Sequence, residues 1–478
     1  MREKDNFLKV KHLYNRAGFG ISYPDLEKLG KKNPKKTVNN LFKAYKAENN
    51  IAIVTFDETK NWAQQLSALT SRKDSLTEEE RKKRVDINRM ENERGRDLNI
   101  AWINQMINTA DPLREKMTLF WHGHFACRSR NSFYAQQLNN IQRANALGNF
   151  KTLLVEVSKS PAMLQYLNNQ QNKKGRANEN FARELMELFT LGRGNYTEQD
   201  IKESARAFTG WTYDGKDGLF YFRKNQHDDG TKTFFGKIGN FEGENIIDII
   251  LDNPKTSEFI ASKVYKFFVN DTVNDNHVKE LATTFFNSKY DISAMMKKMF
   301  TSDWFYNPEN IGIKIKSPAE LIVGLSREFY VTYNKPQVLI QLQTTLGQYL
   351  FNPPNVAGWP GGQSWIDSSS LMMRMRIPSL VLNDGEIDFS GKADPEEETV
   401  LANGNKTAKQ KAVKSFVNAS TDWPKFLASF PKDLKPLDLA QFLLQTKLNE
   451  KIISMISDNK GLKSTAIEIT SMPEYQLC

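Results

Sequence analysis

The chain has 478 residues, 39% hydrophobic and 26% charged, with a formal net charge of +10. That length allows about three domains or one large one, and the composition is that of an ordinary globular protein, against global disorder; no apolar run reaches membrane-spanning length. The positive excess attracts polyanions in general, yet basic and acidic residues alternate through TEEERKKRVDINRMENERGRD and no nucleic-acid motif accompanies them, so nucleic acid is not the expected partner.

The opening MREKDNFLKV is charged and lacks the apolar stretch of a secretory signal, which makes the cytoplasm the default expectation. Two cysteines, Cys127 and Cys478, are too few for a disulfide framework or a paired-cysteine metal knuckle. Asp111-Pro112 reads as an N-cap followed by proline at the first helical position, and Leu113, Met117, Phe120, Trp121 and His124 then recur at helical spacing. NENFARELMELFTLG carries Phe181, Leu185, Leu188 and Phe189 as one apolar stripe that Gly192 ends. Thr197 to Asp200 resembles a capping box in front of Ile201, Ala205 and Phe208.

In GLFYFRKNQHDDGTKTFFGKIG, residues 218–239, two aromatic runs flank a polar connection and predict a β-hairpin with His227, Asp228 and Asp229 at its tip. FNPPNVAGWPGGQSWI, from 351, is too rich in proline and glycine to be regular; its aromatic residues predict an ordered loop. Residues 383–412 are polar and read as a linker or mobile excursion, and a helical segment follows. The expected fold is mainly α: one helical domain over about 1–382 with a hairpin at about 218–239, the linker 383–412, and a helical C-terminal segment, 413–478, packing back on the main domain.

Chemistry is sought first at FWHGHF. His122 and His124 converge if the backbone is extended but diverge by about 200° on a helix, unless Gly123 breaks the helix; each imidazole is either a ligand or acid/base group, or a polar ring tied into the core. His227 with Asp228 offers residue types for a mixed N/O metal site or a polarised histidine base. A divalent metal held by His122, His124, His227 and Asp228 is one expectation. Glu184, at the edge of the apolar stripe, and Asn180, one turn earlier, would complete a polar pocket, with Arg206 as counter-ion. Glu187 is expected on the solvent side. Trp359 and Trp365 either stack on a flat ligand such as a sugar or anchor their loop.

HLYNRAGFG at 12–20, FWHGHF, NENFARELMELFTLGRGNYTEQDIKESARAFTGW, HDDGTKTFFGKIG, KIKSPAELIVGLSR at 314–327, FNPPNVAGWPGGQSWI and the terminal SMPEYQL are similar to the successive signature blocks of a bacterial family, domain of unknown function 1800. The resemblance implies a large, mainly helical protein and names no catalytic residue. It also implies a companion, since members are often encoded beside the domain of unknown function 1501 family, whose export signals suggest export together with such a partner. Four of the five histidines, His12, His122, His124 and His227, fall inside the blocks. The expected function is an enzyme with a histidine/carboxylate site, metal-assisted or acid/base, acting on a polar substrate such as a saccharide. The alternative is a non-catalytic binding or assembly partner of the companion protein. The enzyme reading predicts that at least two of His122, His124 and His227 share one cavity, with Glu184 facing it and Trp359 buried as its wall.

Overall fold

The computed structural model describes residues 2–43, 50–70, 76–215, 217–383, 386–388, 414–416, 418–456 and 461–478. Apart from Asn383 and Glu386–Asp388, the polar stretch 383–412 lies outside the described residues. The fold is mainly α, with short two-stranded antiparallel sheets. Among the described residues no helix is long and apolar enough to cross a membrane.

Helix starts follow local chemistry. Pro112–His124 begins as its sequence predicts, with the Asp111 carboxylate accepting from the Arg114 amide at 3.3 Å and proline at the first turn. The Thr197 hydroxyl and Asp200 carboxylate close a reciprocal capping box ahead of Glu198–Ala207. The stripe after Asn180 departs from a simple helix. It runs as a short α segment, Asn180–Glu184, then a π-helical turn, Leu185–Thr190, before Gly192 turns out at φ 79°.

Two apolar clusters organise the molecule. The first gathers the helices between Pro112 and Thr301; the second joins the inner half of the long Glu78–Asn108 helix to Pro318–Glu328, Val338–Leu346, Ser368–Leu382, Pro436–Leu443 and Leu462–Thr470. Among the described residues three helices serve both. Arg2–Ala17 sends Leu13 and Ala17 into the first cluster and Val10 into the second, while Pro112–His124 sends Met117 and Trp121 into the first and Leu119 into the second. Ser132–Ala144 sends Tyr134 and Leu138 into the first cluster and Ala135 into the second.

A buried polar network crosses this seam. Glu115 and Arg143, each 1% exposed, form an ion pair with Nε–Oε1 of 2.8 Å. Trp102 Nε1 and Gln105 Nε2 each donate to the same carboxylate at 2.9 Å, and the remaining guanidinium nitrogens donate to Asn139 and Asn140.

The region 218–239 corrects one expectation. Its two aromatic runs do not pair with each other; Trp211–Tyr213 pairs with Phe220–Phe222, and Lys232–Phe234 pairs with Lys237–Gly239. His227 therefore sits in the connection between two hairpins and is buried, not at an exposed tip. Trp211 supplied the missing strand because it packs edge-on against Phe208 and Phe220 in the first cluster.

Candidate functional site

The helix through FWHGHF continues across Gly123, so the two imidazoles leave in different directions and adopt opposite tautomers. The Phe351 amide donates to His122 Nε2 at 3.0 Å, which places the His122 proton on Nδ1. His124 Nε2 instead donates to the Phe189 carbonyl at 3.1 Å. Around His122 stand Trp102, Phe351 and Trp359; around His124 stand Phe120, Phe125, Phe189 and Phe259. His227 is elsewhere, donating from Nδ1 to the Thr209 carbonyl at 2.9 Å beside Phe222. Among the described residues no three His, Cys, Asp or Glu side chains are placed to hold a metal ion. The set His122, His124, His227 and Asp228 is not brought together as a ligand shell.

The other expected residues are tied locally. Both oxygens of Asp228 accept from Arg206, at 2.9 and 3.2 Å, and that contact holds the carboxyl down at about 2. Arg206 also donates to Glu203, so it clasps the connection between the hairpins. Glu184 is half-buried, and burial raises its carboxyl. Glu187, expected in solvent, is instead half-buried between Arg193 and the Tyr196 hydroxyl, because the π turn swings it towards them. Asn180 is exposed and donates to the Leu167 carbonyl.

The proline- and glycine-rich loop docks on the HGH turn. A Cβ at Gly358, where φ is 79°, would lie 2.4 Å from the Gly123 carbonyl oxygen, so only glycine permits this approach. Trp359 lies 5.7 Å from His122 between ring centres but is half-buried, and Trp365 is buried. Trp359→Ala is expected to lower stability by about 1–2 kcal/mol with helical content unchanged. A thermal melt followed by circular dichroism checks this, and a collapse of helicity would refute the anchoring role.

A different set of side chains forms the most distinctive polar site, a cavity lined by Lys11, Lys116, Lys316, Glu320, Glu328 and Tyr475 among others. Its envelope, mouth included, is about 490 Å³, of which about 30 Å³ is free to the centres of water-sized molecules. That is room for a water or two, or for one terminal group of a larger ligand.

Each lining group is placed by its local sequence. Ser317-Pro-Ala-Glu320 is a capping box with proline at the first helical position; the Ser317 amide donates to Glu320 Oε2 at 2.7 Å. This leaves Oε1 for Lys116, whose ammonium also donates to the Gly18 carbonyl at 2.9 Å. Residues 314–316 run antiparallel to 476–478, with Lys316 N donating to Gln476 O at 2.8 Å and Cys478 N to Lys314 O at 2.8 Å. The pairing sets the Lys316 ammonium 3.9 Å from the centre of the Tyr475 ring. Tyr475 in turn donates its hydroxyl to Glu328 Oε2 at 2.8 Å. Lys11, from the first helix, donates to the carbonyls of Gln441 and Leu444.

Burial dominates the electrostatics. It brings the Lys11 ammonium down to about 7, with Glu328 opposing, and raises the Glu328 carboxyl to about 6 against the pull of Lys316, Tyr475 and Lys11. Burial also lowers Lys316, which Glu328 partly offsets. Glu320 goes the other way: burial acts upward, but the Lys116 charge and hydrogen bonds from Lys116 and Ser317 outweigh it and hold the carboxyl at about 2. A carboxyl near 6 beside a phenol and an ammonium is a group that exchanges protons at neutral pH.

Reading the sequence for histidines missed this cavity, although three of the quoted blocks meet there: HLYNRAGFG, KIKSPAELIVGLSR and SMPEYQL. A usable signal was present. Lys11 and Arg16 sit on the same helix as Val10, Leu13 and Ala17, all fully buried, so the cations interrupt an apolar face, where a charge is expensive unless satisfied. One family model, described as protein of unknown function (DUF1800), matches residues 12–477. No curated protein and no solved structure matches the chain.

Proposed function

We infer, given that the chain belongs to the DUF1800 family over nearly its whole length and that the family's description assigns no reaction, that it is an enzyme acting by acid/base chemistry on a polar substrate, a saccharide being one class, in the Lys11–Lys316–Glu328 cavity. The observation that carries this reading is the Glu328 carboxyl, raised to about 6 and hydrogen-bonded to Tyr475 at a cavity that also holds Lys316. Near pH 7 that carboxyl is mostly ionised and able to take a proton from a substrate hydroxyl or carbon acid, while Tyr475 fixes its orientation. The ammonium of Lys316 would stabilise negative charge developing on the substrate. His122 and His124 have no part in the step; they fasten the loop and the π turn.

The test is a panel of polar metabolites, including sugars and sugar acids, screened against the full chain by thermal shift, with each hit followed by mass spectrometry for a product. Glu328→Gln is expected to keep the fold and slow turnover by about 100-fold or more, and the wild-type rate should rise with pH through about 6. Turnover unchanged in Glu328→Gln would overturn the assignment.

A second reading, assembly with a companion of the domain of unknown function 1501 family, rests on the loop at Trp359, which stays half-exposed beside exposed Asn355, Ala357 and Pro360. It predicts that Trp359→Ala abolishes capture of the companion in a pull-down while leaving turnover intact.

A further inference from the structure

We propose that the substrate carries an anionic group, a phosphate or a carboxylate, and that the Lys316 ammonium receives it in this cavity with Arg16 and Arg374 as the positive ground behind. The inference rests on the reading of the same cavity as the active site. Three cations line it, and their partners differ. Lys11 is spent on two backbone carbonyls, and Lys116 on Gly18 and Glu320. The Lys316 ammonium has no oxygen acceptor among the described residues; its close contact is the Tyr475 ring face, and Glu328, Cys478 and Glu320 act on it from a distance. An acceptor entering the cavity therefore displaces no hydrogen bond from it.

The surroundings hold more positive charge than the carboxylates answer. Arg16 and Arg374 are buried, and among the described residues neither forms an ion pair; Arg16 donates to the Asn310 carbonyl and Arg374 to the Lys316 carbonyl and, at 3.5 Å, to Gln476. Nε and Nη1 of Arg16, and Nε and Nη2 of Arg374, are buried without an acceptor. Glu320 acts on both guanidiniums from a distance, together with Cys478 and Asp271 on Arg16, but it is already paired with Lys116. A buried guanidinium with idle N–H groups is costly. An anion in the cavity returns part of that cost by its charge, and a neutral polyol does not. The small free volume suits a single terminal anionic group entering from the mouth.

The experiment titrates the full chain with inorganic phosphate, with malonate and with glucose in separate arms at pH 7 and matched ionic strength, reading thermal stability and affinity. One or both anions are expected to bind saturably with a Kd below about 10 mM, and Lys316→Met to weaken that binding by about tenfold or more. Lys316→Arg should restore it in part, and the exposed control Lys335→Met should leave it unchanged. Should Lys316→Met fail to fold, reductive methylation of the wild type followed by peptide mass spectrometry reads the same amine, which phosphate or malonate, and not glucose, should protect. Saturation by phosphate alone or malonate alone identifies the group. No saturable effect of either anion, or equal protection by glucose, overturns the proposal. If a neutral sugar is turned over with dependence on Glu328, this inference falls and the enzyme reading stands; if anions bind at Lys316 and nothing is turned over, the reverse holds.

Discussion

Glu115→Ala is expected to destabilise the protein by about 3–5 kcal/mol, the usual consequence of removing one partner of a buried ion pair. The carboxylate satisfies Arg143, Trp102 Nε1 and Gln105 Nε2 at once. Its removal leaves a guanidinium 1% exposed and an indole N–H inside a closed seam that water cannot easily enter. Two effects compete, since the pair also cost desolvation to form. The half-broken pair is nevertheless worse than either an intact pair or an apolar replacement, because only it keeps the cost without the attraction. Glu115→Gln, which retains an acceptor for Trp102 but no charge for Arg143, should fall between. Chemical denaturation of the three proteins checks the order, and a loss below about 1 kcal/mol for Glu115→Ala would show that the seam relaxes to admit water.

The second large effect is acid destabilisation beginning near pH 6.5. Burial lowers His122 and His124 to about 3 and His12 well below 6.5. Each folded value lies below the unfolded one, so the stability these residues contribute is intact above pH 6.5 and is lost as pH falls towards about 3. Glu328 has the opposite sign. Its folded value of about 6 exceeds the unfolded 4.5, so between those pH values the fold gains stability on acidification and offsets one histidine. These three histidines and His277, also lowered by burial, stand against Glu328 and Glu184, whose carboxyls burial raises, so the net is about two protons, or roughly 3 kcal/mol per pH unit at most. The Tm should therefore drop steeply between pH 6 and 4.5, and more steeply still in Glu328→Gln, which removes the offset. A Tm flat from pH 7 to 5 would contradict the buried neutral imidazoles.

Helix starts were legible in the sequence wherever a side chain caps its own backbone: Asp111, Thr197 and the proline after Asp111 are local signals, and the structure keeps them. Whether His122 and His124 diverge was not legible, since Gly123 allows either outcome; the helix runs through it and parts them. What sequence spacing could not give is pairing between distant segments. The partner of Phe220–Phe222 is Trp211–Tyr213, chosen by the first apolar cluster and not by the turn at 227–230. The Lys/Glu cavity is less legible again. Lys11, Lys316, Glu328 and Tyr475 look like ordinary charged or aromatic positions until the first helix, the 314–316 segment and residues 476–478 are brought together.

The hydrogen bond from Lys11 to Leu444 joins positions 433 residues apart, and that separation has a consequence in time. At a synthesis rate of about 5–20 residues per second, roughly 20–90 s pass between the appearance of Lys11 and that of its acceptor. The first helix can form in microseconds or less, yet throughout that interval it carries Lys11 beside Val10 and Leu13 with neither the carbonyls nor the apolar neighbours of the Pro436–Leu443 region to cover them. A ribosome stalled short of Gln441 thus displays a half-built cavity whose exposed apolar helix is a target for chaperones. The cavity itself is complete only in chains translated through Tyr475 and Cys478, late and in one step.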